Sequence, residues 1–319
     1  MSTGGAATPV ERCHRFWFRQ IPPHVYAVLR IAFGVLCLLD LLGATPISMF
    51  WDLNGIAPLP GGGTWGFRSW VVASGFAPVA AWVVFTGTLL AYLCMTLGIG
   101  GQAAVFASLL ANVWQTAWNV LPLSASHQAL TAVLFSLVWA DCGQVLTVSP
   151  TRNAATPPQP QSIAPLRVLQ YQVCLIYFSS GVSKFSNELW RDGSAIYYAM
   201  SHNVVQRFPV DVLPLPLQGV ATLTTYGTLA FELAFPLLVA WRRTRILTLI
   251  AGVGLHLGAW VTLEVGPFSW VMIATYIAFL PPERLATLVD EGWPRKAARY
   301  PYQLAGSVTD SPEWRAGAR

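Results

Sequence analysis

The chain has 319 residues, of which 54% are hydrophobic and only 10% are charged, and its mean hydropathy is +0.51. Soluble domains carry about 25% charged residues, so this composition excludes a soluble globular protein and indicates an integral membrane protein. The net charge of +5 comes mainly from arginines beside apolar segments, which indicates membrane topology and argues against nucleic-acid binding. The five cysteines are scattered without a CxxC pair, so we predict neither a disulfide framework nor a metal site.

Apolar segments long enough to cross a bilayer recur along the chain, since such a helix needs about 20 apolar residues. We predict an all-α, polytopic bundle of about eight transmembrane helices. They lie near residues 24–44, 78–98, 101–121, 127–146, 166–186, 217–241, 246–264 and 267–281. The predicted divisions are an N-terminal cytoplasmic segment at 1–23, a transmembrane domain at 24–281 and a cytoplasmic C-terminal tail at 282–319.

Basic residues decide the predicted topology. They concentrate in the N-terminal segment, the loop at 147–165 and its edge, the RRTR sequence at 242–245 and the tail, whereas the opposite loops carry few. The positive-inside rule therefore places both termini in the cytoplasm of a multi-pass plasma-membrane protein. Two outer loops are long, at 45–77 and 187–216, and the second is predicted to hold a short interfacial helix near 193–203. GIGG at 98–101 predicts a tight turn.

Lys184 is the best candidate in the chain for chemistry. It lies at the outer end of the fifth predicted span, where an ammonium group is costly. Burial favours the neutral amine, and a neutral lysine can act as a base. The alternative is a lysine that extends to the membrane surface and pairs with Glu188, four residues further on.

His127 begins the fourth predicted span, also on the outer side. The topology puts it in the same membrane layer as Lys184, so the two side chains are candidates for flanking one small polar ligand. The alternative is a histidine that only caps or packs its helix.

Three further polar residues lie inside predicted spans. Glu232 must be protonated or paired at that depth, and Arg30 is its candidate partner unless Arg30 pairs with Asp141. For Glu232, Arg30 and His256, both structural bracing and a proton relay remain open. We expect Asn112 and Gln115 in the third span to bridge helices by hydrogen bonds, as amide side chains do in membranes.

The segment around Lys184 resembles a family signature, carried by Tyr177-Phe178, Gly181, Lys184, Trp190, Gly193 and Ala195. It is similar to the HTTM family (horizontally transferred transmembrane domain), whose membrane domain is shared with vitamin K-dependent γ-glutamyl carboxylase. Other landmarks follow in the same order, over about residues 12–285. They are Arg30 and Gly34, then Gly55, Ile56 and Pro58, then His127, the FELAFPLL run at 231–238, and His256.

The resemblance implies an activity and a set of site residues. Lys184 matches the base that deprotonates a reduced quinone, of the menaquinone or vitamin K hydroquinone type, and His127 matches the histidine that holds it. O2 is the implied co-substrate, with CO2 where the acceptor is carboxylated. The implied quinol pocket includes Trp190, Tyr177, Gly181 and His256. The sequence departs from the carboxylase at Ser183, where that enzyme has a lysine, and at Ser126, where it has asparagine.

Three functions remain open at this point. The first is a quinol- and O2-dependent enzyme at the extracytoplasmic face, with a small peptide as a candidate acceptor and the lipid bilayer as its environment. The second is a non-enzymatic membrane partner in toxin or antimicrobial-peptide maturation, export or immunity, as for family members of the sporulation-delaying protein B type. The third is a carrier for a small anion that uses Lys184 and Arg30 as counter-charges. The sequence indicates no oligomeric state.

Overall fold

A computed structural model of the chain describes residues 8–43, 77–118, 125–148, 158–202, 205–208 and 214–292. The outer loop predicted at 45–77 lies outside the described residues up to residue 76, and with it the Gly55, Ile56 and Pro58 landmarks. Residues 149–157 of the predicted cytoplasmic loop and the tail beyond residue 292 also lie outside them.

The described residues are mostly helical. The helices are α1 (Pro9–Phe18), α2 (His24–Gly43), α3 (Ala77–Leu97), α4 (Gln102–Trp118), α5 (Ala125–Leu137), α6 (Ala164–Phe185), α7 (Glu188–Arg191), α8 (Ala195–Ser201), α9 (Leu215–Ala240), α10 (Arg245–Thr262), α11 (Phe268–Thr275) and α12 (Pro282–Gly292). A 3-10 turn at Tyr276–Phe279 continues α11. Two short strands, β1 (Gln20–Ile21) and β2 (Gln161–Ser162), pair in antiparallel fashion, with Gln20 opposite Ser162.

Three of the described helices are long and apolar enough to cross a membrane: His24–Gly43, Pro216–Ala240 and Arg245–Thr262. They match the spans predicted at 24–44, 217–241 and 246–264. Shorter apolar helices occur at Trp82–Leu97 and Phe268–Phe279. The total of eight spans and the cytoplasmic side of the termini stay predictions.

Two local predictions in the loops are confirmed. The predicted short helix near 193–203 is α8, and the GIGG turn separates α3 from α4 with positive φ angles at Gly98, Gly100 and Gly101.

The fourth predicted span at 127–146 is wrong at its end, because α5 stops at Leu137. The backbone turns there, and the Asp141 carboxylate accepts a hydrogen bond from the amide of Gly143 at 3.2 Å. Such a turn interrupts an apolar run that sequence alone cannot distinguish from a continuous helix.

Helix α2 lies at the centre of the bundle and packs against α3, α5, α11 and α12. Its buried apolar side chains include Tyr26, Leu29, Phe33, Cys37 and Leu41, spaced three to four residues apart along one side. His24, also buried, pairs with Asp290 of α12 at 3.2 Å. Helix α12 falls within the segment predicted as tail, and it is packed onto the bundle.

Arg30 of α2 has no exposed surface, and its guanidinium donates a hydrogen bond to the carbonyl of Leu146. Leu146 belongs to the irregular segment after α5, and the neighbouring Thr147 hydroxyl donates to the carbonyl of Gly98 at 2.9 Å. The predicted pairing of Arg30 with Glu232 or Asp141 is therefore wrong. The Arg30 guanidinium thus binds a backbone carbonyl and not a carboxylate. Together, this hydrogen bond and that of Thr147 join the segment after α5 to α2 and to the end of α3.

Two glycines of α10 allow a matched test of how this helix packs against the 3-10 turn at Tyr276–Phe279. A Cβ at Gly252 would lie 2.1 Å from the Tyr276 hydroxyl, whereas in the described part of the chain a Cβ at Gly254 meets no atom within 4 Å. We expect Gly252→Ala to destabilise the protein by about 1–3 kcal/mol through overpacking. Gly254→Ala should leave the stability unchanged or raise it by up to about 1 kcal/mol, since alanine favours helix. Thermal unfolding in detergent measures both, and equal effects would contradict the packing described.

Candidate functional site

Lys184 continues the buried side of helix α6. The buried residues of that helix include Leu166, Leu169, Val173, Tyr177 and Gly181, at intervals of three or four. The next position on the same side is Lys184, since residues at this spacing share one face of a helix. An ammonium group in this place needs a partner from the neighbouring helix.

Helix α9 supplies that partner, Glu232, from its own buried side. Its buried residues are Ala221, Thr225, Leu229, Glu232, Phe235 and Val239. Helices α6 and α9 pack closely, because Gly181 has no side chain: a Cβ there would lie 2.9 Å from Leu233 Cδ2 and 3.1 Å from its backbone nitrogen. Gly181 thus brings Glu232 within reach of Lys184. Helix α9 also contains Pro236, one turn beyond Glu232.

Lys184 Nζ lies 2.8 Å from both carboxylate oxygens of Glu232 and 2.6 Å from the hydroxyl of Ser180. The Glu232 side chain is 9% exposed and that of Lys184 is 24% exposed, so the lysine is the more accessible member of the pair. The Trp190 ring lies 5.1 Å from Nζ, within range of a cation–π interaction. The alternative pairing of Lys184 with Glu188 is therefore wrong, because Glu232 occupies this position.

A hydrogen-bonded chain of ring side chains lies beside the ion pair. The Tyr177 hydroxyl is 2.6 Å from His256 Nε2 and 2.5 Å from the Tyr276 hydroxyl, and Phe235 stacks on the Tyr177 ring at 4.0 Å between centroids. Tyr177 interacts electrostatically with Glu232, as His256 does with Lys184. The structure thus brings together six of the predicted site residues on α6, α7, α9 and α10: Lys184, Tyr177, Gly181, Trp190, Glu232 and His256. Their predicted role in binding a quinol stays a prediction.

His127 has a different carboxylate partner. Its Nε2 lies 3.2 Å from Asp40 Oδ2 of α2, its side chain is 3% exposed, and within the described residues its Nδ1 has no hydrogen-bond partner. The Asn112 amide donates to the His127 carbonyl at 3.2 Å and to the Thr131 hydroxyl at 2.7 Å. Asn112 thus joins α4 to α5, as predicted, and Gln115 joins α4 to α3 by accepting from Tyr92 at 3.4 Å.

Lys184 and His127 lie towards the same end of the bundle. Ser136 of α5 donates to Gln172 of α6 at 2.6 Å, and Asp141 and Gln161 are joined by two hydrogen bonds just beyond the end of α5 and the start of α6. The two helices therefore run in opposite directions. From the Ser136–Gln172 level, His127 is about 14 Å along its helix and Lys184 about 18 Å along its own, at 1.5 Å per residue. That the two side chains flank one ligand stays a prediction.

Sequence reasoning missed Asp40, although a signal was present. Asp40 follows Arg30, Phe33 and Cys37 at intervals of three and four residues, which places it on the buried side of α2. A carboxylate in that position requires a partner. That partner is His127 of α5, and the sequence does not specify that α5 lies beside α2.

The segment of α7 and α8 covers part of α9 next to the ion pair. The Tyr226 hydroxyl donates to the Arg191 carbonyl at 3.1 Å, and the Ile196 amide donates to the Thr225 hydroxyl at 3.2 Å. Between the two short helices, hydrogen bonds from the Ser194 hydroxyl and amide lower the pKa of Asp192. This segment holds Trp190 above Lys184.

The arrangement offers an ammonium group, a carboxylate and an aromatic face at one partly exposed position. Such a set can bind a ligand with an acidic hydroxyl group and move a proton between ligand, amine and carboxylate. Among the residues that the structure describes, no three His, Cys, Asp or Glu side chains are grouped to hold a metal ion.

The fold and this site define a helical membrane protein with an ion pair between two of its helices. The chain belongs to the HTTM domain family, whose model matches residues 18–283, so the resemblance seen in the sequence is confirmed.

Two proteins of Bacillus subtilis (strain 168) are similar to this chain. One is the uncharacterized protein YitO, 31% identical over 119 residues, which are 36% of this chain and 38% of that protein. The other is sporulation-delaying protein SdpB, 25% identical over 121 residues, which are 37% of this chain and 38% of that protein. The matched region is thus well under half of each relative. No solved structure matches the chain.

A double-mutant cycle tests the ion pair. We expect Lys184→Met to destabilise the protein by about 1–3 kcal/mol, because it leaves the buried Glu232 carboxylate without its partner. Lys184→Met combined with Glu232→Leu should recover most of that loss, since apolar replacement of both partners of a buried pair is often neutral. Thermal unfolding in detergent gives both values. Additive effects of the two single changes would show that the side chains do not interact.

Proposed function

We propose that this HTTM protein is a membrane enzyme in which Lys184 accepts a proton from a reduced quinone. The observation that carries the proposal is the partly exposed Lys184 amine, which contacts both oxygens of the buried Glu232 carboxylate at 2.8 Å. A lysine that is to act as a base must first lose its own proton. In the proposed mechanism Glu232 takes that proton, and the amine that faces the ligand is then neutral.

The residues around the pair fit an aromatic ligand with ionisable hydroxyl groups. Trp190 offers a ring face, Lys184 a proton acceptor and Ser180 a hydroxyl group at 2.6 Å from Nζ. When bound, a quinol would supply the reducing electrons that activate O2. Lys184 would hold the deprotonated oxygen by its charge, and the α7–α8 segment that carries Trp190 would limit access of water.

His127 would be the second contact to the ligand. Asp40 contacts Nε2 of its imidazole, and Nδ1 has no hydrogen-bond partner among the described residues, so Nδ1 would be the atom that meets a ligand oxygen. The carboxylate would fix the orientation of the ring through this contact. His127 lies towards the same end of the bundle as Lys184, which supports a shared role.

The acceptor of the reaction is a further part of the proposal. The resemblance to the carboxylase membrane domain supports carboxylation or oxidation of an acceptor, with CO2 as a co-substrate in the first case. The family resemblance, which includes members of the sporulation-delaying protein B type, supports a small peptide as that acceptor, and SdpB is one of the relatives that the chain matches. The charge bias of the loops supports an active side on the extracytoplasmic face of the plasma membrane.

A second candidate function is a non-enzymatic membrane partner in peptide maturation, export or immunity. The same ion pair favours it, because a lysine neutralised by a carboxylate is also an effective contact between two membrane helices. The similarity to SdpB supports this candidate as well. The two functions differ in one requirement: only the enzyme needs Lys184 to lose its proton.

Replacement of Lys184 by arginine separates the two functions. Arginine keeps the charge and can pair with Glu232, but it does not deprotonate in proteins. We expect the purified wild-type protein to consume O2 with menaquinol or vitamin K hydroquinone. Lys184→Arg and Lys184→Ala should each lower the rate by at least about 100-fold, the typical contribution of a catalytic base.

The controls concern folding and the carboxylate. Lys184→Arg should keep the unfolding temperature of the wild type, so that loss of O2 uptake is not loss of structure. Glu232→Gln retains a hydrogen-bond acceptor but accepts no proton readily, and we expect it to be inactive too. If Lys184→Arg consumes O2 like the wild type, the base mechanism is wrong. If the folded wild type consumes none above the spontaneous rate, the non-enzymatic partner is favoured.

A further inference from the structure

Arginines from separate parts of the sequence gather at the end of the bundle opposite Lys184. Arg167 lies in the first turn of α6, and the amide of Ile163, just before that helix, donates to the carbonyl of Arg19 at 2.9 Å. Helices α6 and α9 are antiparallel, as the contacts Lys184–Glu232 and Tyr177–Phe235 show, so the end of α9 that binds the Arg245 side chain lies beside the start of α6. The Arg167 guanidinium therefore interacts electrostatically with those of Arg19 and Arg245. Arg245 interacts in turn with Arg242. We call these four residues the basic cluster. Like charges repel, so a cluster assembled from three regions of the chain favours binding of an anion.

The fold holds these guanidinium groups in place. Arg167 lies over the Phe16 ring at 4.3 Å from its centroid and donates to the Gln170 side chain at 2.8 Å. Its Nε is buried and, within the described residues, has no hydrogen-bond partner. Arg245 donates from Nε to the carbonyl of Val239 at 2.9 Å. Anchored guanidinium groups lose little conformational entropy when they bind an anion.

The charge of the cluster is only partly balanced. Arg19 Nη1 lies 3.5 Å from Glu283 Oε1, and both side chains are about half exposed. Among the described residues this is the one salt bridge that involves a member of the cluster. Four guanidinium groups and one carboxylate leave an excess of positive charge.

The position of the cluster matches the headgroup layer of a bilayer. Arg167 and Lys184 are 17 residues apart on α6, which corresponds to about 26 Å, close to the hydrocarbon thickness of about 30 Å. The spanning helix α9 ends at Ala240, and the spanning helix α10 begins at Arg245. The cluster therefore lies where two apolar helices end.

Helix α1 beside the cluster has the features of an interfacial helix. It begins with a capping box formed by Thr8 and Glu11, and none of its residues is buried. Its apolar Val10 is 77% exposed and Phe18, at its end, is 54% exposed, while Arg12 and Arg15 lie between them in sequence. Trp17 stacks on Tyr171 of α6 at 5.7 Å, which attaches α1 to the bundle. Such helices lie in the plane of the membrane surface.

We propose that the basic cluster binds the phosphate of an anionic phospholipid headgroup, with the apolar residues of α1 in contact with the acyl chains. Guanidinium groups form paired hydrogen bonds to phosphate oxygens, and basic pockets between membrane helices bind such headgroups. Arg167 and Arg245 would supply the inner contacts, and the more exposed Arg19 and Arg242 the outer ones.

Lipid binding by the purified full-length protein tests the proposal. In zwitterionic phosphatidylcholine nanodiscs, added phosphatidylglycerol should bind saturably and raise the unfolding temperature. The double variant Arg167→Gln/Arg245→Gln should bind phosphatidylglycerol at least about tenfold more weakly. The matched control Arg191→Gln/Arg207→Gln removes the same charge from the opposite loops, and it should bind like the wild type. Neither measurement depends on O2 uptake, so this result is separate from the proposed enzyme activity.

Three outcomes would overturn the proposal. They are equal binding of phosphatidylcholine and phosphatidylglycerol, equal loss of affinity in the control variant, and full competition by inorganic phosphate at the same concentration as lipid. The last would identify a site for a free anion instead of a lipid. If Arg167→Gln/Arg245→Gln does not fold, the exposed pair Arg19→Gln/Arg242→Gln replaces it, with the same expected loss of affinity.

Discussion

The ion pair between Lys184 and Glu232 is the interaction on which the packing of α6 and α9 depends. A carboxylate on the buried side of a membrane helix is costly unless a positive charge neutralises it. The lysine contacts both carboxylate oxygens at 2.8 Å. A shift of one helix by a single turn, about 5.4 Å, would separate the two charges. The close approach at Gly181 belongs to the same alignment, so charge pairing and packing specify one arrangement of these helices.

Three other buried polar residues also have polar partners in distant parts of the chain. Arg30 is received by a backbone carbonyl beyond α5, His127 by Asp40 of α2, and His24 by Asp290 of α12. Each contact joins elements that are distant in sequence. In a bilayer, apolar side chains contact lipid as readily as they contact one another. Polar contacts therefore specify which helices are neighbours, and the apolar surfaces then fill the space between them.

The sequence was sufficient for features that depend on local spacing. Apolar length located the three helices that are long and apolar enough to cross a membrane, and glycines located the turn between α3 and α4. The partners of the polar residues could not be obtained in this way. Lys184 had Glu188 nearby in sequence, whereas the structure pairs it with Glu232, 48 residues away. Such a choice depends on which helices are neighbours, a property that periodicity does not contain.

Similarly, the early end of α5 depends on a turn that a run of apolar residues conceals. Asp40 was missed for a related reason, because its spacing reveals a buried side but no partner. The number of spans and the side of the termini depend on the bilayer itself, and they remain predictions from length and charge.

Pro236 has a mechanical consequence for the ion pair. Proline has no amide hydrogen, so it cannot donate to the carbonyl four residues earlier, and that carbonyl belongs to Glu232. Helix α9 is therefore easiest to bend at the turn that carries the carboxylate. The half of α9 before this turn is fastened to the α7–α8 segment through Tyr226 and Thr225. Bending at this turn would move that half of α9 together with the attached α7–α8 segment, and it would change the position of the Glu232 carboxylate relative to Lys184.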